Sequence, residues 1–107
     1  MIRHIVLVHF ASDIDKAEIA ALWRDLEALR DVVPGMVHVA AGRSESPEKI
    51  ERGYLHGFTV DFTGWDALAA YQEHPSHQRL GARLVTAAQG GKDGILVFDL
   101  PMNEEAP

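Results

Sequence analysis

Apolar positions along the chain follow two periods. Residues 2–10 are dense in Ile, Val, Leu and Phe and predict a first strand, with Ile2, His4, Val6, Val8 and Phe10 on one face. Ile19, Leu22, Leu26, Leu29 and Val33 then recur at spacings of three and four, the stripe of an amphipathic helix over residues 13–32. Ser12 opens that helix with a capping-box-like pattern, and Pro34-Gly35 stops it. Residues 36–42 predict a second strand, 44–53 a polar loop and 54–62 a third strand, on which Tyr54, His56, Phe58, Val60 and Phe62 share a face. Thr63 can cap a second helix with Trp65, Leu68 and Tyr71 inside. Pro75 ends it and suits the first turn of a third helix, which puts His77, Leu80, Leu84 and Ala88 on one face. A Gly-rich flexible link, 89–94, leads to a last strand over 95–100, and 101–107 reads as a flexible tail.

The order β-α-β-β-α-α-β with right-handed crossovers gives an α+β, ferredoxin-like protomer: a four-stranded antiparallel sheet with helices on one side. Its other side would present Ile5, Leu7, Leu55, Thr59, Leu96 and Phe98. That is too much apolar surface for a monomer, and a second copy packed sheet to sheet would cover it. A twofold homodimer is therefore expected.

Length and charge narrow the classes. The chain has 107 residues, room for one domain, read here as residues 1–100. Ten Lys and Arg against sixteen Asp and Glu leave a formal charge of −6, which disfavours phosphate backbones, so no nucleic-acid partner is expected. Cysteine is absent, which removes disulfides, zinc knuckles and thiol nucleophiles and suits a reducing, cytoplasmic setting. The first apolar run is broken by His9 and reads as a strand rather than a leader, and no run approaches the roughly 18–20 residues of a membrane span.

Few residues invite chemistry. His4 is a polar group on an apolar face, either a hydrogen-bonded core histidine or a cavity acid–base. Tyr71 ends one helix's inner face and His77 begins the next, so the break at Pro75 lets a phenol and an imidazole converge. His74, before proline, suits a helix cap. His74 and His77 are three apart, but with no thiol and no carboxylate evidently beside the histidines, no metal site is expected. Trp23 and Trp65 read as packing residues, His9 as facing away from the cavity, and 44–53 as a solvated loop. No nucleophile elbow, phosphate loop or dinucleotide fingerprint is present.

Residues 1–7, Arg52-Gly53-Tyr54-Leu55-His56, Ala70-Tyr71, His74-Pro75-Ser76-His77 and Val97-Phe98-Asp99 together resemble the stress-responsive α/β-barrel (Dabb) family over nearly the whole chain. The resemblance implies a dimeric α/β barrel of ferredoxin-like protomers. Its olivetolic acid cyclase-type branch closes linear polyketides by aldol condensation without a cofactor. Carried over by position, its chemistry falls on His77 as general base, Tyr71 as orienting or hydrogen-bonding group, and His4 at a carbonyl oxygen. An apolar or aromatic small molecule would then meet a wall of Val6, Val8, Leu22, Trp23, Leu26, Phe58, Ile95 and Val97. Three roles follow: a small-molecule-binding stress protein, a cofactor-free cyclase or lyase and, by fold analogy, a cofactor-independent monooxygenase.

Overall fold

The computed structural model describes residues 1–102. Four strands, β1 (Ile2–Val8), β2 (Met36–Arg43), β3 (His56–Phe62) and β4 (Ile95–Pro101), form one antiparallel sheet in the order β2-β3-β1-β4. Three helices, α1 (Lys16–Ala28), α2 (Trp65–Glu73) and α3 (Pro75–Ala87), lie on one side. This is the ferredoxin-like arrangement expected from the element order.

Element ends differ from the pattern reading for local reasons. β1 closes at Val8, and Phe10 keeps only a single bridge to Ala88. Residues after it turn first, with Ile14 N–H donating to the Ala11 carbonyl, so Asp15 rather than Ser12 caps α1 by accepting from Glu18 N–H at 2.8 Å. The last turn of the expected helix tightens into a 3-10 turn, Leu29–Asp31, before Pro34-Gly35. Gly35 has φ +90°, and a Cβ there would sit 2.6 Å from that of Ala67, so the turn requires glycine. Thr63 is spent on this turn, its N–H donating to the Gly35 carbonyl, and α2 starts at Gly64 without a side-chain cap. Trp65 opens α2 before the helix reaches the core and stays exposed, leaving Leu68 and Tyr71 as the buried residues. The glycine-rich link holds a 3-10 turn, Gly91–Gly94, tied down by Gln89 N–H donating to the His9 carbonyl. Pro101 continues β4 and Met102 N–H donates to the Met1 carbonyl, while the rest of the expected tail, 103–107, lies outside the described residues.

Period two sorts the sheet into unlike faces. The helix side carries Ile2, Val6, Val8, Phe58, Val60 and Phe62, all buried. The opposite side carries Ile5 and Leu7 with their β4 partners Phe98 and Leu96, and Leu7, Leu96, Phe98 and Leu100 are exposed.

Candidate active site

Strand β1 brings His4 into the core side of the sheet, where it is buried between aromatic rings: Tyr71 at 5.7 Å, Phe58 at 6.2 Å and Phe62 at 6.3 Å between centroids. A buried imidazole needs a partner. Register supplies it, because His4 stands opposite Asp99 on β4. His4 Nδ1 lies 2.5 Å from Asp99 Oδ1. The carboxylate accepts, so Nδ1 carries the hydrogen and the other nitrogen is left for a further contact. This corrects the expectation that no carboxylate stands beside the histidines. The pairing joins residues 95 positions apart, and a single apolar strand gives no sign of its neighbour's register.

Helices α2 and α3 place the other two groups. His74, before Pro75, is extended and caps α3, its Nδ1 accepting from Ser76 N–H at 3.1 Å. The bend at this point stacks Tyr71 and His77, with ring centroids 4.1 Å apart. Tyr71 is almost wholly buried, and burial drives its hydroxyl pKa well above the usual phenol range, so it stays protonated and can donate. No hydrogen bond holds that hydroxyl among the described residues, and Tyr71 is one of the residues that line the adjoining cavity.

His77 is half-buried. Burial is the main force pulling its pKa below the ordinary histidine value of 6.5, opposed by its contact with the Gln72 carbonyl and reinforced by His4 and His74. The ring is thus neutral at neutral pH. Its Nδ1 faces the Gln72 carbonyl at 3.3 Å. A carbonyl only accepts, so the hydrogen sits on Nδ1 and the lone pair on Nε2, the form a general base needs.

A cavity of about 30 Å³ adjoins the pair, lined by Leu22, Trp23 and Leu26 of α1, Phe58 of β3, Tyr71, and His77, Leu80, Gly81 and Leu84 of α3. Four of the expected wall residues, Leu22, Trp23, Leu26 and Phe58, stand here, whereas Val6 and Val8 are sealed in the core and Ile95 packs at its margin. Val97 shares the strand face of Val6, but β4 is an edge strand outside the cover of the helices and Val97 is 58% exposed. His4 contacts Tyr71 from behind rather than lining the cavity. Leu80, Gly81 and Leu84 were missed as wall residues, although their spacing from His77 placed them on its helical face. Among the described residues no group of three or more His, Cys, Asp or Glu side chains is arranged to hold a metal ion. No described helix is long and apolar enough to cross a membrane.

Known proteins resemble this chain in sequence and fold. Olivetolic acid cyclase of Cannabis sativa is 25% identical over 80 residues, covering 75% of this chain and 79% of its own. A dimeric ferredoxin-like protein of unknown function from Jannaschia sp. CCS1 superposes with a TM-score of 0.88 at 34% identity, over 94% of this chain and 98% of that one. A hydroxynitrile lyase from Passiflora edulis shares the fold, with a TM-score of 0.85 at 21% identity over 99% and 96% of the two chains. The family model for the stress responsive A/B barrel domain matches residues 2–102. The chain belongs to the stress-responsive A/B barrel domain (Dabb) family.

Proposed function

We propose that this chain is a cofactor-free acid–base enzyme that forms or cleaves a carbon–carbon bond next to a carbonyl group in a small apolar compound. The observation that carries the reading is the Tyr71–His77 stack, a protonated phenol and a neutral imidazole side by side on an apolar cavity. The likeness to olivetolic acid cyclase supports the same chemistry. His77 Nε2 removes a proton from the carbon beside the carbonyl, and the electron pair moves to the carbonyl oxygen. The Tyr71 hydroxyl donates to the enolate oxygen that results. The enolate carbon attacks a second carbonyl carbon, and the new alkoxide takes the proton back from the His77 imidazolium. The reverse sequence cleaves the bond. His4, braced by Asp99 and in contact with Tyr71, is a positioning residue in this scheme.

The test is consumption of linear polyketide-like and other apolar carbonyl compounds followed by mass spectrometry. Wild type should convert at least one, and His77→Ala, folded by circular dichroism, should lose about 10²–10⁴ of the rate. Undiminished turnover in His77→Ala overturns the role given to that residue. The cavity's apolar lining favours a second reading, a carrier of small apolar molecules, which saturable binding without chemical change would select.

The same proposal includes a twofold dimer closed over the exposed face of Leu7, Leu96, Phe98 and Leu100, and the dimeric state of the Jannaschia relative supports self-association.

A further inference from the structure

Away from the cavity, a second pair of helical stripes lies face to face. Asp25, Ala28, Leu29 and Val32 follow the spacing i, i+3, i+4, i+7 from α1 through the 3-10 turn, and Ser76, Arg79, Leu80 and Arg83 repeat it on α3. Residues three and four apart share a helical face, so each set forms one bank. Together they line a groove of about 340 Å³. Leu80 is common to this groove and the cavity beside His77, and their other walls differ. The acid–base reading uses none of the groove's polar groups.

The two banks differ in chemistry. Ala28, Leu29 and Val32 make the α1 bank aliphatic, and Val32 is 50% exposed. At one end Arg83 Nη1 donates to Asp25 Oδ2 at 2.6 Å, and those two charges cancel. Arg79 stands one turn before Arg83. Its Nη2 donates to the Ser76 hydroxyl at 3.1 Å, and it forms no ion pair among the described residues. A guanidinium has five N–H donors, so donors are left over for a ligand. The groove thus holds one uncancelled positive charge in a chain whose formal charge is −6.

Size, shape and charge point to one kind of occupant. The volume falls within the roughly 300–1,000 Å³ of small-molecule sites. No aromatic ring lines the groove, so its apolar part suits a flexible hydrocarbon rather than a stacked ring. A single planar guanidinium matches the charge and the fork of one carboxylate. We propose that this groove is a binding site for a small amphipathic carboxylate, separate from the acid–base cavity. The carboxylate lies against Arg79, and an aliphatic chain runs along Ala28, Leu29 and Val32.

The test is titration of the isotope-labelled protein with octanoate, below its micelle concentration, followed by proton–nitrogen NMR. The amides of Ala28, Val32, Ser76 and Arg79 should shift. Octanol, which keeps the chain, and acetate, which keeps the charge, should each bind at least about tenfold more weakly. Arg79→Gln should weaken octanoate about tenfold or more. So should Val32→Glu, which sets a like charge in the aliphatic bank at a position already half in water. Arg24→Gln removes an exposed arginine of α1 outside the groove and should change nothing. Equal affinity for octanoate and octanol, or octanoate affinity unchanged in Arg79→Gln, overturns the proposal. Shifts confined to Tyr71, His77 and Leu84 around the cavity, or no binding at all, also overturn it. The acid–base site stands in every case.

Discussion

Adjacent residues of β1 meet opposite fates. Arg3 points to the open face of the sheet and His4 to the covered one, and each finds a carboxylate on a neighbouring strand. Arg3 clasps Asp61 through Nε at 2.9 Å and Nη2 at 3.1 Å, and the guanidinium holds the Asp61 carboxyl below its ordinary range. The arginine is largely in water, so the pair anchors one end of an apolar face and contributes modestly. His4 instead meets Asp99 beneath Tyr71, with the imidazole buried among aromatic rings and the carboxylate still partly in water. The same type of contact is an anchor on one side and a brace for reactive groups on the other, and burial makes the difference.

Two phenylalanines give the largest contrast. Phe62 is fully buried against Tyr71, with ring centroids at 4.9 Å, whereas Phe98 is 61% exposed on the other face. Phe62→Ala is expected to cost about 3–5 kcal/mol in urea unfolding. Phe98→Ala should leave the protomer within about 0.5 kcal/mol, yet raise the dimer dissociation constant at least about tenfold in sedimentation equilibrium. Equal losses of protomer stability would erase the distinction between the faces.

The carboxylates sharpen the comparison at smaller scale. Asp99→Asn keeps a hydrogen-bonding partner for His4, so stability should move by less than about 1 kcal/mol while turnover falls about tenfold through misplacement of Tyr71. Asp61→Asn should cost a similar amount of stability with no change in turnover. A rate loss in both variants would mean the two pairs are not functionally distinct.

Smallest of all is a pH effect. His77 has a folded-state pKa below that of the unfolded chain because of burial, and His56 shares the direction through burial and the nearby Arg43. The unfolded state therefore binds more protons once the pH drops below about 6.5, so stability is present above that value and declines in acid. The urea midpoint should fall between pH 7 and pH 5, and His77→Gln should flatten the slope. A midpoint that rises over this interval contradicts the neutral, buried ring.

Much of this was legible in the chain. Alternation in β1 and β3 told which residues face the helices, and Pro75 between two helical stripes told that Tyr71 and His77 converge. What escaped depended on relations between distant segments. Asp99 lies at the end of a strand whose register against β1 no local pattern encodes. Val97 alternates correctly, but only the strand order shows that β4 is an edge beyond the helices. Gly81 carries no side chain and so adds nothing to a hydrophobic stripe, and only the cavity shows it as a wall residue. Caps shifted for a related reason, since Ser12 and Thr63 lost their place to turns set by neighbouring backbone.

The central claim is that His77 removes a proton from carbon, and it can be tested without knowing the natural substrate. In deuterated buffer at neutral pH, proton NMR follows exchange at the carbon beside the carbonyl in a series of apolar ketones. Wild type should accelerate exchange well above the buffer rate, and His77→Ala, equally folded, should fall about 10²-fold or more. Exchange at the buffer rate with wild type, or equal exchange with His77→Ala, would contradict the account.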